Sequence, residues 1–307
     1  MAIRPPKLRQ GDTIGVVTLG SPLDAEIINA RVATLQSMGF NVVLGNYVYA
    51  SDGYLAGTDQ QRASDFMSMI ENPEVKLILP SRGGVGVAGI LPYLDFASIA
   101  RNPKIVTGYS DITVLLNVLY QFANLITLHS LLLISFSPDQ PQYNFNQFFE
   151  ATSTVRNVRP IANPPGLELV GKVGGSVFGP IVGGNITSFV DTLGTPFEID
   201  TRGKIILLEE THEPINKVYR LIKHLQQAGK FRDCAGIVMG ECTNCLIAYG
   251  KTYEDLINET IVPLGKPLLT NLASGHGVYK AAVPIGAMAH LDANAGALTL
   301  VESTVSM

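Results

Sequence analysis

A chain of 307 residues, 46% hydrophobic and 16% charged, holds enough apolar material for two packed domains and is not compositionally disordered. Its net charge of −4, with no Lys/Arg cluster, argues against a nucleic-acid partner. The opening MAIRPPKLRQGD has neither an apolar h-region nor a small-residue cleavage site, and residues 173–190 are too rich in Gly, Ser and Asn for a membrane helix, so a cytoplasmic protein without a membrane partner is expected.

The first half alternates short apolar runs with helical spacing. Residues 12–19 (DTIGVVTL) predict a buried strand, 24–38 a helix ending before Gly39, and 41–45 (NVVLG) a second strand. A helix over 58–70, with Asp59 near its start, leads to a third strand, VKLILPS, then the glycine loop RGGVG and the helix-like VAGILPYL. KIVTG is a fourth strand before a helix over 112–122, and LITLHS is a fifth. This succession implies a parallel sheet with helices on both faces. Residues 138–166 are dense in Pro, Asn and Gln and predict a linker, with a short helix near 145–151. Beyond it come a Gly-rich stretch (GKVGGSVFGPIVGGN), the strand GKIILLEE, an amphipathic helix over 213–228, the strand CAGIVMGE, a helix over 252–262 and the strand PLLTNL. The C-terminus predicts two antiparallel strands around an Asn-Ala-Gly turn. The expected fold class is α/β: an N-terminal flavodoxin/Rossmann-like parallel-sheet domain over 1–137, the linker over 138–166, and a C-terminal mixed β/α domain of swivelling type over 167–307.

Polar residues at the strand ends are the candidates for chemistry. Ser110 stands at a sharp strand-to-helix turn, VTGYSDITVL. A nucleophilic serine needs that position, where free N–H groups and the helix dipole stabilise an oxyanion. Only the first glycine of the G-x-S-x-G elbow is present, so a simple N-cap is the competing reading. RGGVG lets backbone N–H groups approach a ligand and could be a phosphate loop, half of an oxyanion hole, or a plain turn; it fits neither nucleotide fingerprint. Among the histidines, His224 and His212 predict surface positions and His290 a structural one. His276, between glycines in SGHG, has the mobility of a general base, and His129 ends a strand where it could line a cleft. Glu209 and Glu210 end an apolar strand and point to opposite faces, one toward a cleft and one toward water; a carboxylate there could orient a histidine. No metal-ligand spacing occurs. Cys234, Cys242 and Cys245 make an odd count without a secretory leader, so buried structural thiols are expected.

In order along the chain, PPKLRQGDTIGVV, YLAGTDQQRASDF, RGGVGVAGILPYLD, GYSDITVL, VGGN, LGTPFEID, IILLEE, CAGIVMGECTNC and GHG resemble the LD-carboxypeptidases of serine peptidase class S66, which include the microcin C immunity peptidases. The resemblance implies a Ser-Glu-His triad of Ser110, Glu209 and His276, with an oxyanion hole from the N–H groups of Asp111 and Gly84. It implies release of terminal D-alanine from murein tetrapeptides by a cytoplasmic homodimer, with no cofactor and no metal. Val85 stands where many members carry an aromatic residue, and His129-Ser130-Leu131 where many have His-Gly-Pro; both segments are expected to border the substrate, together with Arg82, chosen by charge and position. A microcin-type substrate, read by Tyr249, Tyr253 or Tyr279, is the alternative, and an inactive ligand-binding protein on the same fold is the alternative of another class.

Overall fold

The computed structural model describes residues 2–307. Strands β1 (Thr13–Val17), β2 (Asn41–Leu44), β3 (Val75–Pro80), β4 (Ile105–Gly108) and β5 (Thr127–His129) alternate with helices α1 (Ala25–Ser37), α2 (Asp59–Glu71), α3 (Phe96–Arg101) and α4 (Ile112–Ala123). The five strands are parallel and lie in the order β5-β4-β3-β1-β2. In this doubly wound order the chain reverses direction of travel between β1 and β3, and ligands bind in the crevice beyond the carboxyl ends there. The stretch after the glycine loop is a 3-10 helix, Val87–Tyr93, rather than an α-helix; Pro92 inside it supplies no N–H for a longer ladder.

Local chemistry explains where these elements begin. Thr58 opens α2 with a capping box, its Oγ1 accepting from Gln61 N and its N donating to Gln61 Oε1. The inner face of α2 carries Arg62, fully buried, whose guanidinium donates to the carbonyls of Gly57, Leu19 and Gly86. One buried cation thus ties the loop after β1 to the glycine loop after β3.

The connecting segment holds α5 (Gln142–Ser153) and the two-residue β6 (Arg159–Pro160). Then follow β7 (Val170–Val173), β8 (Ser176–Asn185), α6 (Ile186–Val190), β9 (Ile205–Thr211), α7 (Ile215–Gln227), β10 (Gly236–Thr243), α8 (Tyr253–Thr260), β11 (Leu268–Leu272), β12 (Val283–Ile285), β13 (Met288–Asp292) and β14 (Ala297–Leu300). The second sheet runs β6-β14-β13-β8-β9-β10-β11-β7, parallel from β8 to β11 and antiparallel outside. The C-terminal stretch therefore holds three strands instead of two. β13 and β14 pair as expected, whereas β12 joins the first sheet, Val283 opposite His129. β12 is buried and apolar, and the edge of β5 offers the unpaired backbone groups it needs.

Helix α4 sets the two sheets against each other. Ile112 to Leu119 are all buried, and a helix apolar on every side must be covered on every side. It packs on β4 and β5 of the first sheet and on β8 of the second. Asn117 locks the joint: its Nδ2 donates to Gly183 O at 2.9 Å, and Gly183 N donates back to its Oδ1 at 2.8 Å. Asn185 N donates to Thr113 Oγ1 at 3.1 Å. At Gly184 (φ +136) a Cβ would lie 2.7 Å from Thr113 Oγ1, so the second glycine of VGGN is required by the close approach of α4, and at Gly183 (φ +103) a Cβ would lie 2.2 Å from Leu207 O on β9. No helix among the described residues is long and apolar enough to cross a membrane.

Candidate active site

Ser110 lies between β4 and α4 with φ 63, a left-handed conformation that few non-glycine residues adopt. Such backbone costs on the order of 1–3 kcal/mol and persists only where the surroundings enforce it. The cap position is taken by Asp111, whose Oδ2 accepts from Val87 N at 2.8 Å and so holds the end of the glycine loop against α4. Gly83 accounts for the room left for the serine: a Cβ there would lie 2.7 Å from Ser110 Cβ and 2.9 Å from its Oγ. Gly84 (φ +92) faces Ser21 instead. Ser21 N donates to Gly83 O at 3.2 Å, and Val85 N donates to Ser21 Oγ at 3.1 Å. With the loop held this way, the N–H groups of Gly84 and Asp111 have no hydrogen-bond partner among the described residues.

Glu209 lies near the carboxyl end of β9 and is 0% exposed. Its Oε2 meets His276 Nδ1 at 2.8 Å. Gly275 (φ +87), just before the histidine, packs so tightly on this carboxylate that no Cβ fits. With Nδ1 engaged, Nε2 is the free ring nitrogen. The imidazole packs edge-on against Tyr109, ring centroids 5.0 Å apart at 88°. His276 therefore sits beside the residue preceding Ser110, though no hydrogen bond joins His276 to Ser110 among the described residues. Its loop is closed by Ala281 N donating to Ala273 O at 2.7 Å and Lys280 N donating to Asn144 Oδ1 at 2.7 Å, while Lys280 Nζ donates to Gly277 O.

Glu210 departs from expectation. Alternation does turn it away from Glu209, but it meets α6 rather than water and is 2% exposed. It accepts from Asn185 Nδ2, Thr187 N, Thr187 Oγ1 and Thr211 N, all within 3.0 Å. Burial pushes this carboxyl up, and the bonds from Thr211 N, Thr187 Oγ1 and Asn185 Nδ2 pull it back. The partners on α6 lie over 20 residues upstream, out of reach of strand periodicity.

The remaining expected residues are distributed unevenly. Val85 is exposed at the tip of the glycine loop. Arg82 is half-buried and makes one long bond, Nη1 to Pro22 O at 3.4 Å. His129 does not line an open cleft: it is 0% exposed, its ring lies against Gly184, and its Nδ1 is 3.2 Å from Ser274 Oγ. Burial lowers the His129 pKa to about 4, opposed by the charge of Glu209. Above pH 6.5 neither folded nor unfolded chain binds this proton. Between pH 6.5 and about 4 the unfolded chain binds it and the folded one does not, so stability falls with pH across that window, by roughly 3 kcal/mol in all. Urea unfolding at pH 7 and pH 4.5 should show this loss, and His129→Gln should flatten it; an unchanged pH slope in the variant would assign the acid sensitivity elsewhere.

Cys242 and Cys245 are disulfide-bonded rather than free, since the turn ending β10 brings their Cα atoms to 5.4 Å; Cys234 is the buried free thiol. Arg62, Ser21, Asn117 and Lys280 escaped the sequence reading. A lone Arg amid the apolar spacing of α2 was the available signal for the first; the others act through contacts across the fold.

Residues 14–130 match the LD-carboxypeptidase N-terminal domain of peptidase class S66, and residues 178–291 match the C-terminal domain of the same family. The chain is 34% identical to a probable murein peptide carboxypeptidase of Bacillus subtilis (strain 168), over 99% of this chain and 95% of that protein. It is 27% identical to the Microcin C7 self-immunity protein MccF of Escherichia coli, over 97% and 96%. A solved structure of MccF in complex with glutamyl sulfamoyl guanosine has the same fold, with a TM-score of 0.92 at 24% identity over 99% of each chain. Matched in both domains and along nearly its whole length, the chain belongs to the LD-carboxypeptidase family of class S66 and is a hydrolase of the peptidase type.

Proposed function

We propose that this protein is a serine carboxypeptidase that cleaves an L–D peptide bond and releases the terminal D-alanine of murein tetrapeptides. The observation that carries the reading is the 2.8 Å His276–Glu209 pair packed against Tyr109, next to a serine held at φ 63 beside two free N–H groups. His276 Nε2 takes the proton of Ser110 as its Oγ attacks the carbonyl of the L-residue, while buried Glu209 holds the tautomer and stabilises the imidazolium. The N–H groups of Gly84 and Asp111 receive the oxyanion. The imidazolium then gives its proton to the departing D-alanine nitrogen. Water, deprotonated by the same imidazole, hydrolyses the acyl-enzyme and frees Ser110. Arg82, with most of its donors uncommitted, is the counter-charge for the terminal carboxylate, and Val85 borders the peptide.

The name of the Bacillus subtilis relative supports the murein substrate. The microcin-type alternative asks for free aromatic faces. Tyr253 bonds to Gly240 O at 3.3 Å and Tyr279 packs edge-on against Tyr143, which leaves Tyr249, 92% exposed, as the one candidate among the three. The resemblance also implies a cytoplasmic homodimer, which light scattering on the purified protein would report. Mass spectrometry of murein tetrapeptide digests tests the reaction: wild type should remove one alanine, and Ser110→Ala should do so slower by about 10⁴-fold or more. Release at the wild-type rate by Ser110→Ala would refute the assignment of this serine.

A further inference from the structure

The loop that carries His276, residues 274–281, is gripped from outside its own sheet. Asn144, on α5 of the connecting segment, is 0% exposed, and its amide meets the loop backbone twice. Its Oδ1 accepts from Lys280 N at 2.7 Å, and its Nδ2 donates to Val278 O at 3.0 Å. The preceding residue, Tyr143, packs edge-on against Tyr279. Helix α5 is itself rooted on the first sheet: Phe148 shares one apolar cluster with Val16 of β1, Leu79 of β3 and Leu128 of β5. A helix anchored beside the strands that lead to Ser110 therefore holds the loop of the imidazole.

Lys280 carries that grip on to the site. It is only 6% exposed, and a lysine is seldom buried unless its charge and its donors are met. Its Nζ donates to Gly277 O, next to His276, and stands over the ring of Tyr109, next to Ser110, 5.6 Å from the centroid. The same ring packs edge-on against the imidazole. Burial lowers the Lys280 pKa, and the charges of Glu241 and Glu209 raise it again. A loop closed for stability alone would be served as well by an apolar side chain, which has no desolvation to offset. We propose that Lys280, its backbone set by Asn144, is a positioning residue that fixes the imidazole of His276 relative to Ser110. The inference rests on the reading of these two as base and nucleophile. Glu209 holds Nδ1 and sets the orientation of the ring; the contacts of Lys280 with Gly277 O and the Tyr109 face set how the loop stands against the turn of Ser110. Without the tether the imidazole stays on Glu209 while its distance to Oγ drifts, and proton transfer demands hydrogen-bond reach.

Lys280→Met keeps length and packing and removes charge and donors. It should lower kcat for D-alanine release by about 10²-fold, the effect of a misplacement of about 1 Å, and leave KM within about threefold of wild type. Lys280→Arg keeps the charge and the donors and should recover about tenfold of that loss. Labelling of Ser110 by a serine-reactive phosphonate, a readout that needs no peptide, should fall and recover in the same order. Asn144→Asp keeps an acceptor for Lys280 N but sets a second oxygen against Val278 O; it should slow both rates by about tenfold and tests the grip where Lys280→Met does not fold. A kcat within about threefold of wild type in Lys280→Met, a raised KM at unchanged kcat, an Arg variant no faster than the Met variant, or unchanged rates in Asn144→Asp would overturn the proposal. A wild type that is labelled yet releases no D-alanine would sink the peptide reading and leave the labelling rates to decide on Lys280. A wild type that resists the phosphonate as well would remove the nucleophile, and the proposal with it.

Discussion

Glu209→Gln should lower kcat by about 10³- to 10⁴-fold while changing KM little. Glu209 is fully buried, and its Oε2 accepts from His276 Nδ1 at 2.8 Å. A carboxylate can only accept, so it enforces the tautomer with the proton on Nδ1 and the lone pair on Nε2. An amide whose NH₂ faces the ring reverses this, placing the proton on Nε2, where it cannot take one from Ser110. Shape is preserved, so peptide binding should survive, and the loss belongs to the transition state. Steady-state release of D-alanine measures it. A kcat within tenfold of wild type would show that Glu209 does not orient the base.

Gly83→Ala should cost about 10²-fold in kcat/KM with the fold intact, the size of effect produced by a misplacement of about 1 Å at a reacting centre. The added methyl would stand 2.7 Å from Ser110 Cβ, 2.9 Å from Oγ and 3.2 Å from Asp111 N. It therefore presses on Ser110 and on one N–H of the proposed anion site together. Ser110 already holds a left-handed backbone and has little freedom to yield. No positive φ is involved at Gly83, so the expected damage is local and the thermal midpoint should move by only a few degrees, about what 1 kcal/mol produces in a chain of this size. Labelling by a serine-reactive phosphonate should slow in parallel. Normal labelling and turnover in Gly83→Ala would mean that the loop retreats from Ser110.

Much of the site could be read from the residues, though for different reasons in each case. The turn at Ser110 announced itself because an apolar strand, a glycine and an apolar helix follow one another within ten residues. Its left-handed φ did not, since the usual second glycine is replaced by Ile112; the space the conformation needs comes from Gly83, far away in sequence. Alternation along β9 separated Glu209 from Glu210 but was silent on what lay against each face. The loop after β11 brought His276 to the first, and α6 with its cap Asn185 brought three donors to the second. His129 read as a cleft residue because nothing local shows that Gly184 of β8 and Ser274 after β11 close around its ring.

By itself the sequence determined the succession of buried strands and helices, because apolar periodicity, caps and glycine turns act within a few residues of each other, and it singled out Ser110, Glu209 and His276 by residue type and motif. Only the tertiary structure decided which of these meet: Glu209 and His276, 67 residues apart, are hydrogen-bonded, and the imidazole packs on Tyr109, the residue before Ser110. Their convergence depends on how a helix apolar on all sides, α4, is covered by both sheets at once and pinned there by Asn117 on Gly183. Packing of that kind is a property of surfaces brought together over long range, which no local pattern encodes.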